Sequence, residues 1–247
     1  MERTMRGCPS HGESMQPKAA GAAYKCSGCK EMGFGSSYEC ENDDCNYILH
    51  EDCANAVSNA VHRFLPESKF EFLEKPPGYP RYCDACGKDV VGFVYHCSHT
   101  GHDLHPRCLN LKDRISDEEG LVTLELCKMM VPSKCVKCNH RRVEEGVKTW
   151  SYVSSEGELC YHVRCVKKLI LEKLEEKYFS QQTNPTDEAE SSQVAERIDQ
   201  SGAVSRRSRK MKKFTKIAVL VFRLIVSAIF GNPIMAIAGL FEALVSG

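Results

Sequence analysis

The side chains able to do chemistry here are cysteines and histidines, and they are spaced rather than scattered. From Cys26 the chain reads Cys26-x2-Cys29-x10-Cys40-x4-Cys45-x4-His50-x2-Cys53, and from Cys83 it reads Cys83-x2-Cys86-x10-Cys97, closed by His105-x2-Cys108. A third, thinner block has Cys135-x2-Cys138 and then His162-x2-Cys165. Thiolate sulfur and neutral imidazole are zinc ligands, and a Cys-x2-Cys pair on a tight turn aims two sulfurs at one ion. A His-x2-Cys at the start of a short helix supplies the other two corners of a tetrahedron. The spacing therefore predicts three sites: Cys26, Cys29, His50 and Cys53; Cys83, Cys86, His105 and Cys108; Cys135, Cys138, His162 and Cys165. Four protein ligands leave no place for a reacting water, so such sites are structural rather than catalytic.

Other ligands suggest further ions. Cys40 and Cys45 lie between the halves of the first set, and an interleaved second site there would be completed by His11 upstream and His62 downstream. Cys8 competes with His11 for the upstream corner, and the plainer reading of His62 is a partly exposed helix residue. In the second block Cys97 persists but Thr100 stands in place of Cys45, leaving His99 or His102 as substitutes. The expected load is three to six zinc ions, with four the central value. Cys127 and Cys160 read as small buried side chains or free thiols, and His96 and His140 as surface residues.

The elements that position these ligands follow from the repeat. First cysteines of successive blocks are 57 and 52 residues apart, and a block of that size buries too little apolar surface to fold unaided. A structural zinc contributes on the order of 10 kcal/mol, enough to decide folding. The runs 37–40 and 90–95 read as brief strands, and a helix is expected after each His-x2-Cys. The third helix is the longest, with Val163, Val166, Ile170 and Leu174 on one stripe as far as about Tyr178. The stripe reads as core of its own block. The fold class is thus tandem zinc-stapled α+β modules, each with short strands and one short helix, over 8–62, 63–126 and 127–179. A disordered linker is expected over 180–205 and a helical apolar tail over 206–247. The proline-rich stretch 64–80 reads as an extended connector, with Phe70 and Phe72 packing between blocks one and two.

The ligand order, with Tyr24-Lys25-Cys26, Tyr38-Glu39-Cys40 and Asn46-Tyr47-Ile48-Leu49-His50-Glu51-Asp52-Cys53-Ala54, resembles the plant Cys/His-rich family built from divergent C1 (DC1) modules. Arg81-Tyr82-Cys83-Asp84-Ala85-Cys86-Gly87 and Asp103-Leu104-His105-Pro106-Arg107-Cys108 resemble the next module of such proteins. The resemblance spans residues from about 11 to 168. It implies C1-like zinc fingers, two ions per complete module, and non-catalytic roles in signalling and in stress or developmental responses.

Composition narrows the setting. The chain has 247 residues, 15 of them cysteine, and 33 basic against 33 acidic side chains. An odd cysteine count and a start without an apolar stretch disfavour a secreted disulfide framework and favour reduced thiolates in the cytoplasm. The zero net charge is a cancellation, because residues 206–247 carry eight basic and one acidic side chain while the rest carries a net −7. Arg206, Arg207, Arg209, Lys210, Lys212, Lys213 and Lys216 fall within eleven residues and precede an apolar run interrupted at Asn232-Pro233. Three readings compete for this tail: a kinked membrane anchor, a shallow interfacial hairpin, or helices folded back on the zinc modules. Basic side chains are worth about 1 kcal/mol each near an anionic leaflet, which favours membrane association with the modules facing the cytosol. A nuclear or nucleic-acid role for Arg206 to Lys213 is the alternative.

Enzyme motifs are missing. There is no Gly-x-Ser-x-Gly, no His-Glu-x-x-His and no phosphate loop. RING and PHD frameworks would need a closing Cys-x2-Cys soon after Cys53, but the next pair opens a repeat of its own. The segment 30–39 lacks the proline, glutamine and apolar tip used by lipid-binding C1 domains. The sequence therefore reads as a non-enzymatic adaptor that binds a protein partner and takes no small-molecule substrate.

Overall fold

The Cys-x2-Cys pairs fold into three near-identical knuckles. In each, the first cysteine's carbonyl accepts from the residue four further on: Lys30 N to Cys26 O at 3.0 Å, Gly87 N to Cys83 O at 2.6 Å, Asn139 N to Cys135 O at 2.8 Å. The donors have φ of 66°, 63° and 57°. A left-handed residue after the second cysteine reverses the chain so that both sulfurs point inward, and of the three only glycine adopts that conformation without steric cost. The residue after the first cysteine then donates to the residue two before the ligand histidine. These bonds are Ser27 N to Ile48 O at 2.7 Å, Asp84 N to Asp103 O at 2.8 Å and Val136 N to Cys160 O at 2.9 Å. One pin, repeated three times, holds each knuckle against its His-x2-Cys. These observations come from a computed structural model that describes residues 7–12, 15–117, 120, 122–128, 131–143, 149–172, 217 and 220–230.

Three antiparallel sheets frame the knuckles. The first has the order β1 (Met15–Lys25), β2 (Met32–Cys40), β3 (Ile48–Leu49). The second runs β4 (Asn59–His62), β5 (Leu65–Leu73), β6 (Val94–His96), β7 (Asp103–Leu104). The third contains β8 (Arg114–Ser116), β9 (Thr123–Cys127), β10 (Ser151–Ser154) and β11 (Cys160–His162), in sequence order across the sheet. Pairing in the second sheet begins at Asn59 and in the third at Arg114, ahead of the expected module starts at 63 and 127. Two four-residue helices, α1 (Glu51–Ala54) and α2 (Pro106–Leu109), follow their ligand histidines directly. Residues 163–172 form a longer helix, α3, and residues 220–230 another, α4.

The expected connector over 64–80 is largely strand. Along β5, Ser68, Phe70 and Phe72 are buried while Lys69 and Glu71 are exposed. This two-residue period is that of a strand with one face on the core. Phe72 packs edge-on against Phe93 and Tyr95, and since the Phe93 ring lies against Gly28 of the first knuckle, Phe72 backs the joint between the first two units from a strand rather than from an extended connector.

Successive units dock in the same way twice. Phe93 N of the second unit donates to Gly28 O in the first knuckle at 3.2 Å, and Trp150 N of the third donates to Ala85 O in the second knuckle at 2.8 Å. Gly28 and Ala85 are the third residues of their knuckles, and each donor lies 65 positions further along the chain. The approach is so close that a Cβ on Gly92 would meet Gly28 O at 2.0 Å. In the third knuckle the corresponding residue is Lys137, exposed and 3.4 Å from Glu172. A polar residue there suits the end of a stack.

One continuous apolar core runs through all three units and α4, including Phe34, Leu49, Phe70, Val94, Leu104, Leu124, Trp150, Tyr152, Val163 and Ile170. Val163, Val166, Leu169 and Ile170 bury one face of α3, as the stripe predicts, but in this shared core; Leu174 and Tyr178 lie outside the described residues. The tail reading needs correction over 220–230. Val221, Phe222, Ile225, Val226, Ile229 and Phe230 are all buried, Phe230 against Phe34 and Phe222 against Tyr161. This segment folds back on the zinc units, where its apolar stripe is matched by Phe34 of the first unit and Tyr161 of the third, all of them buried. Among the described residues no helix is long and apolar enough to cross a membrane. The linker 180–205, the basic run 206–216 and residues 231–247 lie outside the described residues.

Candidate metal centres

The local geometry explains why His-x2-Cys works as a ligand pair. His50 and His105 stand at helix N-caps with extended backbone, φ −62° and ψ 153°, φ −60° and ψ 149°. Their carbonyls receive Cys53 N at 3.0 Å and Cys108 N at 2.8 Å. One turn of chain thus brings imidazole and thiol to the same side. Pro106 at the first helical position of α2 lacks only an N–H that would have no helical partner.

Among the described residues four donor sets form, and within each all ligand atoms lie within 4.8 Å of one another. Three are the predicted ones. Cys29 Sγ and Cys53 Sγ stand 3.3 and 3.8 Å from His50 Nδ1, Cys86 Sγ stands 3.4 Å from His105 Nδ1, and Cys138 Sγ and Cys165 Sγ stand 3.4 and 3.6 Å from His162 Nδ1. A zinc tetrahedron with arms of ~2.3 Å to sulfur and ~2.0 Å to nitrogen has edges of roughly 3.5 to 3.8 Å. The sets have the size of that polyhedron. The fourth set is Cys8, His11, Cys40 and Cys45, with Cys8 Sγ 3.5 Å from His11 Nδ1, Cys40 Sγ 3.4 Å from the same nitrogen, and Cys8 Sγ 3.7 Å from Cys45 Sγ.

The fourth set corrects one predicted ligand. Cys8 and His11 do not compete for a corner; both take part, and His62 does not. His62 lies on β4 rather than on a helix, buried at 7% exposure, with its ring stacked on Trp150 at 4.4 Å and its Nδ1 accepting from Phe64 N at 3.1 Å. Burial pushes its pKa below the ordinary histidine value. A signal for Cys8 was present, since Cys8-x2-His11 has the same spacing as the other ligand pairs.

In the second unit Cys97 and His99 join no set among the described residues. Ser68 Oγ lies 2.9 Å from Thr100 Oγ1 and 2.8 Å from His102 Nδ1, and Cys97 is buried. His96 is not a plain surface residue either, because its Nδ1 lies 2.9 Å from Asp103, which also receives Arg81 Nε at 2.6 Å. His140 is exposed. Cys160 is a fully buried small side chain beside Val131 and Val153, with the half-buried Cys127 packed against them.

The electrostatics of the sets call for a cation. Cys26 is held far below the thiol range by the thiols of Cys29 and Cys53, while burial and the Cys26 sulfur push Cys53 well up. In the third set the Cys165 thiol brings Cys135 down to about 3, and Cys135 in turn pushes Cys165 far up. One ionised sulfur suppresses its neighbours, so three thiolates can coexist only around positive charge, which Zn2+ supplies. Surrounding groups orient the ligands. His105 Nε2 lies 3.1 Å from Asp89 O and His162 Nε2 3.4 Å from Arg141 O, which directs each Nδ1 lone pair into its set.

The second site has an additional neighbour that spacing does not reveal. Lys167 of α3 is buried, with Nζ 3.4 Å from Cys108 Sγ and 2.8 and 2.9 Å from the two carboxylate oxygens of Glu31. Burial alone would favour the neutral amine, yet Cys108, Cys86 and Glu31 hold its proton well above the ordinary lysine range. A ligand from the second unit, a carboxylate from the first and an ammonium from the third thus meet at one buried point.

Comparison with known families agrees with this architecture. Residues 9–54 match the model of the C1 domain family. That span contains the whole first set and three of the four ligands of the peripheral one. Searches of curated proteins and of solved structures gave no match. The chain is a zinc-binding protein of Cys/His-rich, repeated units, the first of them C1-like, with four sets of ligands suited to zinc.

Proposed function

We propose that the protein is a non-enzymatic adaptor, a stack of divergent C1 units of the DC1 kind whose zinc ions hold an interaction surface in shape. The observation that carries this reading is closure: each of the four sets offers four protein ligands, and two of the sets are entirely buried. A closed tetrahedron stabilises a fold and gives a substrate no entry. The repetition of one knuckle and one docking contact through three units supports a scaffold built by duplication. A membrane tether draws its support from the basic run 206–216, and the burial of α4 counts against it for residues 220–230. Nucleic-acid binding through Arg206 to Lys213 predicts salt-sensitive retardation of DNA or RNA, which an adaptor of this kind lacks.

Cobalt substitution tests the closure. Full-length protein reconstituted with Co2+ should show the intense visible bands of tetrahedral thiolate-imidazole sites, four ions per chain, unaffected by added azide or cyanide. A five-coordinate site, or one whose spectrum shifts with an exogenous ligand, would overturn the non-catalytic reading.

A further inference from the structure

Within the core, α4 is bound differently from everything around it. It adds no strand to any of the three sheets and no ligand to any of the four metal sets. The walls it touches are already held by other means: Phe34 belongs to β2 of the first unit and Tyr161 to β11 of the third, each stapled by its own site. Those units are joined through the second by the knuckle contacts and by Lys167 bridging Glu31 and Cys108. The residues that flank α4 are therefore held by ligand sets and contacts in which α4 takes no part.

The shape of the occupant is also defined. Val221, Phe222, Ile225, Val226, Ile229 and Phe230 form one stripe at helical spacing, and Arg223 on the other side is exposed. This is the pattern by which amphipathic helices lie in apolar grooves. The chain between α3 and α4 includes the polar stretch 180–205 and the seven basic residues of 206–216, so α4 reaches its seat from a distant point along the sequence.

We propose that the surface between Phe34 and Tyr161 is a docking groove for an amphipathic helix of a protein partner, and that α4 is a tethered internal occupant which closes it. This inference rests on the adaptor reading and names the class of partner. Tethering gives an effective concentration of up to ~1 mM. A free helix that binds the open groove with a Kd of ~10 µM would then face a groove closed about 100 to 1. A partner gains entry by binding more tightly than that or by engaging the basic run at the same time.

The test uses the full chain and the Ile225→Asp/Ile229→Asp double variant, with a fluorescent synthetic peptide of residues 217–231 as probe. The variant should keep the parent's zinc content and bind the peptide at least tenfold more tightly than the parent. Equal affinity for both, or loss of zinc and cooperative unfolding by the variant, would show that α4 is an ordinary part of the core and overturn the proposal. Partition of the peptide into phosphatidylserine vesicles without binding to the opened chain would overturn it in favour of a membrane. Failure of the adaptor reading is seen separately, in the cobalt spectrum.

Discussion

The first and second units share a knuckle, a short strand before the ligand histidine and a four-residue helix after it, yet among the described residues the first has two metal sets and the second one. The difference lies in what precedes each knuckle. Among the described residues β1 is the edge strand of the first sheet, with β2 its neighbour, and the arm leading into it is clasped by Cys8 and His11 to Cys40 and Cys45. In the second sheet the corresponding strand, β5, is already flanked by β4, and Ser68, Thr100 and His102 form a hydrogen-bonded trio. The third sheet likewise carries an extra strand, β8, and no second set among the described residues. Among the described residues, then, the second ligand set stands in the sheet whose leading strand has no further strand outside it, and either device holds that strand in register.

The comparison can be broken most sharply at the ligands. Cys86→Ser should abolish the buried site of the second unit, remove stabilisation on the order of 10 kcal/mol and eliminate cooperative unfolding. Cys45→Ser should lower the zinc content by one ion per chain and leave the rest folded, as followed by metal analysis and near-ultraviolet circular dichroism. If both changes unfold the chain alike, the peripheral ion is no mere substitute for a strand.

Next in size is the buried charge that joins the units. Lys167→Met leaves Glu31 buried without its ammonium and should cost about 3–5 kcal/mol in denaturant unfolding. Glu31→Gln added to it should recover part of that loss, and strictly additive losses would contradict the pairing. Ser68→Ala, which removes the hub of the second unit's trio, should cost about 1–3 kcal/mol with zinc content unchanged; a drop in zinc would mean that the trio is a disguised ligand set. The smallest effect is expected at the first knuckle, where Lys30 has φ 66° and Gly87 takes the same place in the second. Lys30→Gly should raise stability by about 1 kcal/mol, and a loss would show that the Lys30 ammonium, which donates to Ser27 O, outweighs backbone strain.

Much of the candidate chemistry was legible along the chain. The twelve ligands of the three repeated sets follow from Cys-x2-Cys and His-x2-Cys, because each pair closes within one turn and its geometry is local. The strand character of β5 was also readable, in the alternation Ser68, Phe70, Phe72, but the prolines around it pointed to a connector. Lys167 gave no sign, since a lysine on a helix ordinarily faces water. Its burial depends on a carboxylate and a thiolate from two other units.

Taken alone, the sequence determined the number of repeats, the twelve ligands of the three repeated sets and the choice of zinc. These rest on contacts among residues a few positions apart and on the chemistry of sulfur and imidazole. The tertiary structure decided the rest. The β1–β2 register, with Met15 opposite Cys40, carries the arm of Cys8 and His11 to Cys40 and Cys45 and leaves His62 to Trp150. The stacking of one unit's strand on the previous knuckle made three small domains share a core. The same stacking set Phe34 and Tyr161 where α4 could cover them, so residues 220–230, part of a tail whose basic flank favours a membrane in the sequence, became part of the core. Local spacing specifies a metal site because its entropy of closure is small, whereas the seat of a distant helix depends on which surfaces the rest of the fold leaves exposed.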